Sequence, residues 1–157
     1  MEEVSVKEIR CLCGYVLKED CLSKYLTPRE IIMDSAQFRL GSETSQHQKE
    51  ESVLKIIKLM KLGKVANTYI HDLKGLYGEP AARVIKKRVM IAAELVRDCA
   101  ILVLEDPGFG MGYEEQLDII TALRDIADTG KIIISTMELP EVDVIKNFDQ
   151  ILLLHEG

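Results

Sequence analysis

No apolar run in this 157-residue sequence approaches the roughly 20 residues a helix needs to cross a bilayer, and runs such as "KIIIS" and "QILLLH" fall far short of it. The opening "MEEVSVKE" is acidic and lacks the basic n-region of a secretory signal, so neither a membrane span nor export is expected. Excess positive charge is missing as well. Twenty Lys and Arg stand against 26 Asp and Glu, a formal net charge of −6, which argues against nonspecific nucleic-acid binding, where cations must neutralise phosphates. The four cysteines, Cys11, Cys13, Cys21 and Cys99, include no CxxC pair and have no His nearby, so the spacing of a zinc site is absent and reduced cytosolic thiols are the expectation. Also missing is any GxxxxGK[ST], the loop whose backbone amides and lysine cradle β- and γ-phosphates.

What is present is a composition 47% hydrophobic, enough for one sizeable core in about one domain. A β-branched and apolar run predicts a strand over 9–17, followed by a loop. In "LTPREII", Thr27 is a helix N-cap, Pro28 suits the first helical position and Glu30 completes a capping box, so a helix should run to about residue 40. Residues 41–50 are polar and unpatterned and read as a loop. Val53, Ile56, Ile57 and Met60 recur at helical spacing, with Gly63 placed to end that helix. "HDLKGLYGEP" reads as a turn-rich connection, and a further helix is expected over about 81–97. From residue 100 the pattern alternates: strand 100–104, helix 114–128 with Ile119, Ile120, Leu123, Ile126 and Ala127 on one face, strand 131–135, a short helix over 141–147 and a strand over 149–154. Apolar strands alternating with helices predict a parallel sheet covered on both faces.

The stretch "ILVLEDPGFGMG", residues 101–112, raises the functional question. Ligands of open parallel sheets sit beyond the carboxyl ends of the strands, where Glu105 and Asp106 are expected. Two acids there suit magnesium and water chemistry on a nucleoside triphosphate, one holding the metal and the next orienting the attacking water. The bland alternative is an acidic pair in a solvated loop turned by Pro107.

"CGYVLKEDCLSKYLTPREIIMDSAQFRL", "KKRVMIAAELVRDCAILVLEDP" and "KIIISTMELPEV…FDQILLLHEG", taken in that order, resemble the nucleotide-binding domain of ABC transporters, the first part most like the white/G type. The closing stretch is also similar to the second cassette of sugar importers. The resemblance implies an α/β, P-loop NTPase-like parallel sheet flanked by helices, with an inserted all-helical subdomain over about 20–98 and core portions over 1–19 and 99–157. It further implies ATP and Mg2+ as ligands, and as partners a transmembrane transporter domain and a second ATP-binding domain, with the chain cytoplasmic and peripheral to the membrane.

The departures are as informative as the match. The family's glutamine at the end of the early strand, which reaches toward metal and the transmembrane partner, falls on Lys18, a cation that would compete with magnesium. Its signature, Leu-Ser-Gly-Gly-Gln or Glu, presents backbone amides to a γ-phosphate at a helix start. Without a gap it falls on a segment with Arg83 and Val84 in place of two glycines; with a gap, Gly78 and Glu79 of "LYGEP" keep only one glycine. The strand's acids are exchanged, Glu105 at the metal-side Asp and Asp106 at the general-base Glu, and a base one methylene shorter moves away from its water. The Asp that bridges the dimer falls on Gly112, and the switch His on Met137, which has no proton to donate. The family's phosphate loop lies upstream of the early strand, so the chain looks like the later two-thirds of a cassette, degenerate and not competent in catalysis by itself.

Two other classes compete. "GFGMG" between a strand and a helix suggests a dinucleotide-binding oxidoreductase, but the spacing is not GxGxxG and Glu114 and Glu115 put negative charge where a pyrophosphate belongs; Glu138 is the available ribose ligand. A non-catalytic interaction module built on the same fold is the other. Arg83, Lys86, Lys87 and Arg88 read as a solvated helix face rather than an RNA site.

Overall fold

The computed structural model describes residues 12–138 and 140–155. Three strands form one parallel sheet in the order β1 (Cys13–Val16), β2 (Ile101–Glu105), β3 (Ile132–Thr136), with Cys13 opposite Ile101 and Ile101 opposite Ile132. The expected strand over 9–17 is shorter, and its first three residues lie outside the described ones. Between β1 and β2 the chain is helical: α1 (Pro28–Arg39), α2 (Gln46–Leu59), a 3-10 turn (Ile70–Asp72), α3 (Leu73–Tyr77) and α4 (Glu79–Leu95). Then α5 (Tyr113–Ala127) links β2 to β3, and α6 (Val142–Ile145) follows β3.

Local chemistry sets most of these boundaries. Thr27 and Glu30 form the capping box of α1, as expected. A second box overturns the loop over 41–50: Ser45 caps α2 and Gln48 bonds back to its backbone, so the helix begins inside the polar stretch. Gly63 does not end α2. Lys61 takes the left-handed conformation, φ +56°, while Leu62 N–H donates to Ile57 O at 2.9 Å and Lys61 N–H to Lys58 O at 3.1 Å, the paired bonds of a Schellman end. The turn-rich "HDLKGLYGEP" holds the 3-10 turn and α3, and at Gly78 the backbone takes φ +81° and ψ 164°, a region open only to glycine.

The core lies between α1, α2 and α4 and, farther along, between the sheet, α4 and α5. Ile32, Met60, Leu73, Ile91, Leu102, Leu104, Ile119 and Ile126 are fully buried. Gly14, Val16, Leu102 and Leu104 face the helices. The opposite face carries Tyr15, Ile132 and Ile134, each about half exposed, so the sheet is covered on one face only and the expectation of two covered faces fails among the described residues. The strand expected over 149–154 does not form either. Arg124 of α5 holds Asp149 at 2.8 Å, and beyond it Ile151–Leu154 are exposed, with no strand of the described residues beside them to complete a ladder.

Candidate functional site

The carboxyl ends of all three parallel strands converge on one cluster. Lys18 follows β1, Glu105 ends β2 with Asp106 next, and Met137 and Glu138 follow β3. Lys18 N–H donates to Glu105 Oε2 at 3.3 Å. Its Nζ lies 3.0 Å from Glu138 Oε1, 3.5 Å from Asp106 Oδ2 and 4.2 Å from the centre of the Phe109 ring. The hydrogen bond to Glu138 leads in pushing the Lys18 pKa above the ordinary lysine range; burial opposes it, and the charge of Glu138 and the Asp106 contact add to it.

Asp106 sits in a left-handed backbone, φ +36°, uncommon for a residue with a side chain. Its N–H donates to Thr136 Oγ1 at 3.2 Å, which ties the acid to the end of β3. The chain then turns tightly, Phe109 N–H on Asp106 O and Met111 N–H on Gly108 O, before α5 begins. Gly108 is needed for space: a Cβ there would stand 2.8 Å from Gln116 Cγ.

Lys87 and Arg88 correct the reading of a solvated basic face. Both are buried. Lys87 Nζ donates to Leu17 O at 3.0 Å and Lys18 O at 2.8 Å, holding the backbone of the β1 exit from behind. Burial draws its pKa below the ordinary lysine range, against the attraction of Asp106, Asp20, Cys21 and Glu105. Arg88 donates to Met60 O and to both carboxylate oxygens of Asp118, all at 2.9 Å, and so pins the end of α2 and α5 to α4. Neither role was visible in a charged run.

The other sequence-predicted residues are placed apart from the acids or beside their turn. Gly78 caps α4, and Glu79, its first residue, pairs with Lys74 at 2.5 Å and with Arg83 at 3.8 Å. Val84 is buried, and the Arg83 guanidinium reaches the turn at Gly110, whose Cβ position is 3.5 Å from its Nη1. Met137 is partly buried against the core. Gly112 is the N-cap of α5, and a Cβ there would displace the Glu115 carboxylate, whose Oε2 would stand 2.5 Å away.

The acids at the strand ends already have partners within the chain. A hard cation needs several free oxygen ligands. Here Glu105 accepts a backbone N–H, while Asp106 and Glu138 face an ammonium, and the described residues hold no group of three or more His, Cys, Asp or Glu arranged for a metal ion. Glu79 stands in the first turn of α4, with Pro80 removing one N–H, and Glu114 and Glu115 stand in the first turn of α5, so both helix starts present their own negative charge where a phosphate would dock. No helix of the described residues is long and apolar enough to cross a membrane.

No family model matches the chain. Among curated proteins it is 31% identical to Protein white of Ceratitis capitata over 157 residues, 98% of this chain and 22% of that protein. It is 33% identical to ABC transporter G family member 3 of Dictyostelium discoideum over 144 residues, 92% of this chain and 10% of that protein. To the Broad substrate specificity ATP-binding cassette transporter ABCG2 of Mus musculus it is 31% identical over 150 residues, 94% of this chain and 22% of that protein. The chain thus spans from a tenth to little more than a fifth of the length of these relatives. With similarity running along nearly the whole chain and the parallel sheet and helical stretch in the order the resemblance implied, this chain is a fragment like the nucleotide-binding domain of white/G-type ABC transporters.

Proposed function

We propose that the chain is part of the ATP-binding component of a G-type ABC transporter and serves there through its packing surfaces, without ATP turnover of its own. Residues of about 20–98 act as the helical subdomain that meets a transmembrane transporter domain, and 1–19 with 99–157 as the core portion that faces a second ATP-binding domain, on the cytoplasmic side of the membrane. The observation that carries the catalytic part of this reading is the ammonium of Lys18 lying between Asp106 and Glu138, which leaves the strand-end acids facing a cation that belongs to the chain. Asp106, at the general-base position, is held by that ammonium and by Thr136, and Met137, at the switch position, carries no proton to give.

The test is phosphate release from ATP by the purified chain with and without magnesium. No release above background is expected. Magnesium-dependent release that disappears in Glu105→Ala overturns the reading. Cross-linking to a transmembrane partner checks the docking part: adducts are expected within 27–97, and adducts confined to 114–157 contradict it.

A further inference from the structure

The strand-end cluster is assembled as though to hold one cation, and it already has one. We propose that the Lys18 ammonium is a built-in counter-cation that closes this acidic site to divalent metal, with Lys87 as the positioning residue that keeps it there.

The backbone of Lys18 is held on both sides. Its N–H is committed to Glu105 Oε2 and its carbonyl to Lys87 Nζ. Lys87 can do this because it is buried on α4, beneath the β1 exit, and because its second bond to Leu17 O leaves the peptide between the two carbonyls little freedom. From that anchored backbone the side chain crosses the carboxyl ends of the sheet to Asp106 after β2 and Glu138 after β3, with Phe109 over the ammonium. A lysine suits the place: it is a compact charge with three donors that rotate to separate acceptors, where the planar fork of arginine would favour one carboxylate. Held in its charged form by these carboxylates, it is no nucleophile. A divalent ion entering the cluster would have to displace the ammonium from both acids or sit beside it, and the second arrangement sets like charges together inside a few ångströms. The inference goes beyond the transporter reading and stands on this geometry alone.

The experiment uses the 157-residue chain and manganese as the probe, following the loss of the free-ion EPR signal on binding, with the magnesium dependence of thermal unfolding as a second readout. Wild type is expected to bind neither ion and to unfold at the same temperature with and without magnesium. Lys18→Met, which keeps most of the stem and removes the charge, is expected to take up manganese about tenfold more tightly than wild type or better, a change worth about 1.4 kcal/mol per tenfold. Lys18→Arg, which keeps the charge, should stay closed, and Lys87→Met, which frees the loop but leaves the ammonium, should open the site part of the way. A purely structural role for either lysine would change unfolding without creating metal uptake. Wild-type binding of manganese that Asp106→Asn abolishes overturns the proposal, and so does a folded Lys18→Met as blind to manganese as wild type. If Lys18→Met fails to fold, Lys18→Gln repeats the contrast, and the wild-type arm decides against the proposal independently of either.

Discussion

Thr27 and Glu30 satisfy one another across the first turn of α1: Thr27 N–H and its hydroxyl both donate to Glu30 Oε2 at 2.8 Å, and Glu30 N–H donates to Thr27 Oγ1 at 3.3 Å. The bond from the Thr27 backbone, and then that from its hydroxyl, hold the Glu30 pKa below the ordinary carboxylate range, with burial opposing. A depressed acid contributes stability above the pKa it has when unfolded, about 4.3 for glutamate, and that contribution fades as pH falls through the folded value. Thr27→Ala is expected to lower stability by about 1 kcal/mol near neutral pH, the usual cost of a lost N-cap. The gap to wild type should narrow in acid below the glutamate range, as the wild-type carboxylate protonates and its bonds weaken. Denaturant unfolding at the two pH values checks this; a gap that stays constant shows that the box does not titrate as described.

At the scale of elements, the join between β1 and α4 depends on the absence of a side chain. A Cβ at Gly14 would stand 2.9 Å from Leu102 Cδ1, 3.0 Å from Cys99 Sγ and 3.2 Å from Glu94 Cβ, all closer than ordinary contact. The strand must therefore move off the helix if this glycine is replaced. Gly14→Val is expected to destabilise by about 1–3 kcal/mol, the range for overfilling a packed core. Because β1 carries the backbone of Lys18, the same variant should also weaken the strand-end cluster, so a stability unchanged from wild type contradicts the packing argument. The apolar stripe of α5 is the complementary case. Ile119 is completely buried, and Ile119→Ala should cost about 2–5 kcal/mol, while Glu114→Ala on the exposed side of the same helix should change stability little. Chemical denaturation of the two variants together separates loss of core from loss of helix.

For the molecule as a whole, the two sheet edges are treated differently. At β1 the backbone is capped by side chains, Tyr15 N–H donating to Glu94 Oε2 at 3.2 Å and Arg97 donating to Cys13 O. The outer edge of β3 pairs with no strand of the described residues, and the sheet face it borders exposes Tyr15, Ile132 and Ile134; Leu152, Leu153 and Leu154 are 83–88% exposed. An open edge beside an apolar face is a template for association. The isolated chain is expected to be an oligomer or only marginally folded, and Ile134→Lys, on the open face, to reduce association while leaving the partly buried side of β3 in place. Sedimentation and thermal unfolding check this. A monodisperse monomer with a sharp transition in the mesophile range of about 45–65 °C would show that the chain closes its own core.

The parts legible in the sequence are those whose causes lie within a turn or two of chain. The Thr27 box, the stripe of α5 and the β2–α5–β3 alternation follow from local hydrogen bonds and from the 3.6 and 2 periodicities, and they stand as read. The Ser45–Gln48 box was written there too, in the same code, but hidden in polar surroundings that read as loop. Tertiary structure decided what depends on distant partners. "QILLLH" has the composition of a strand, yet a strand exists only beside another, and the described chain offers it none. Lys87 and Arg88 look solvated in a charged run, and their burial was settled by carbonyls and a carboxylate contributed by the β1 exit, α2 and α5. The resemblance to a cassette singled out Lys18 from its position after an early strand. That its ammonium would meet Glu138, 120 residues away, could come only from three parallel strands delivering their carboxyl ends to one place, because the pairing register brings distant residues together and no local pattern encodes that meeting.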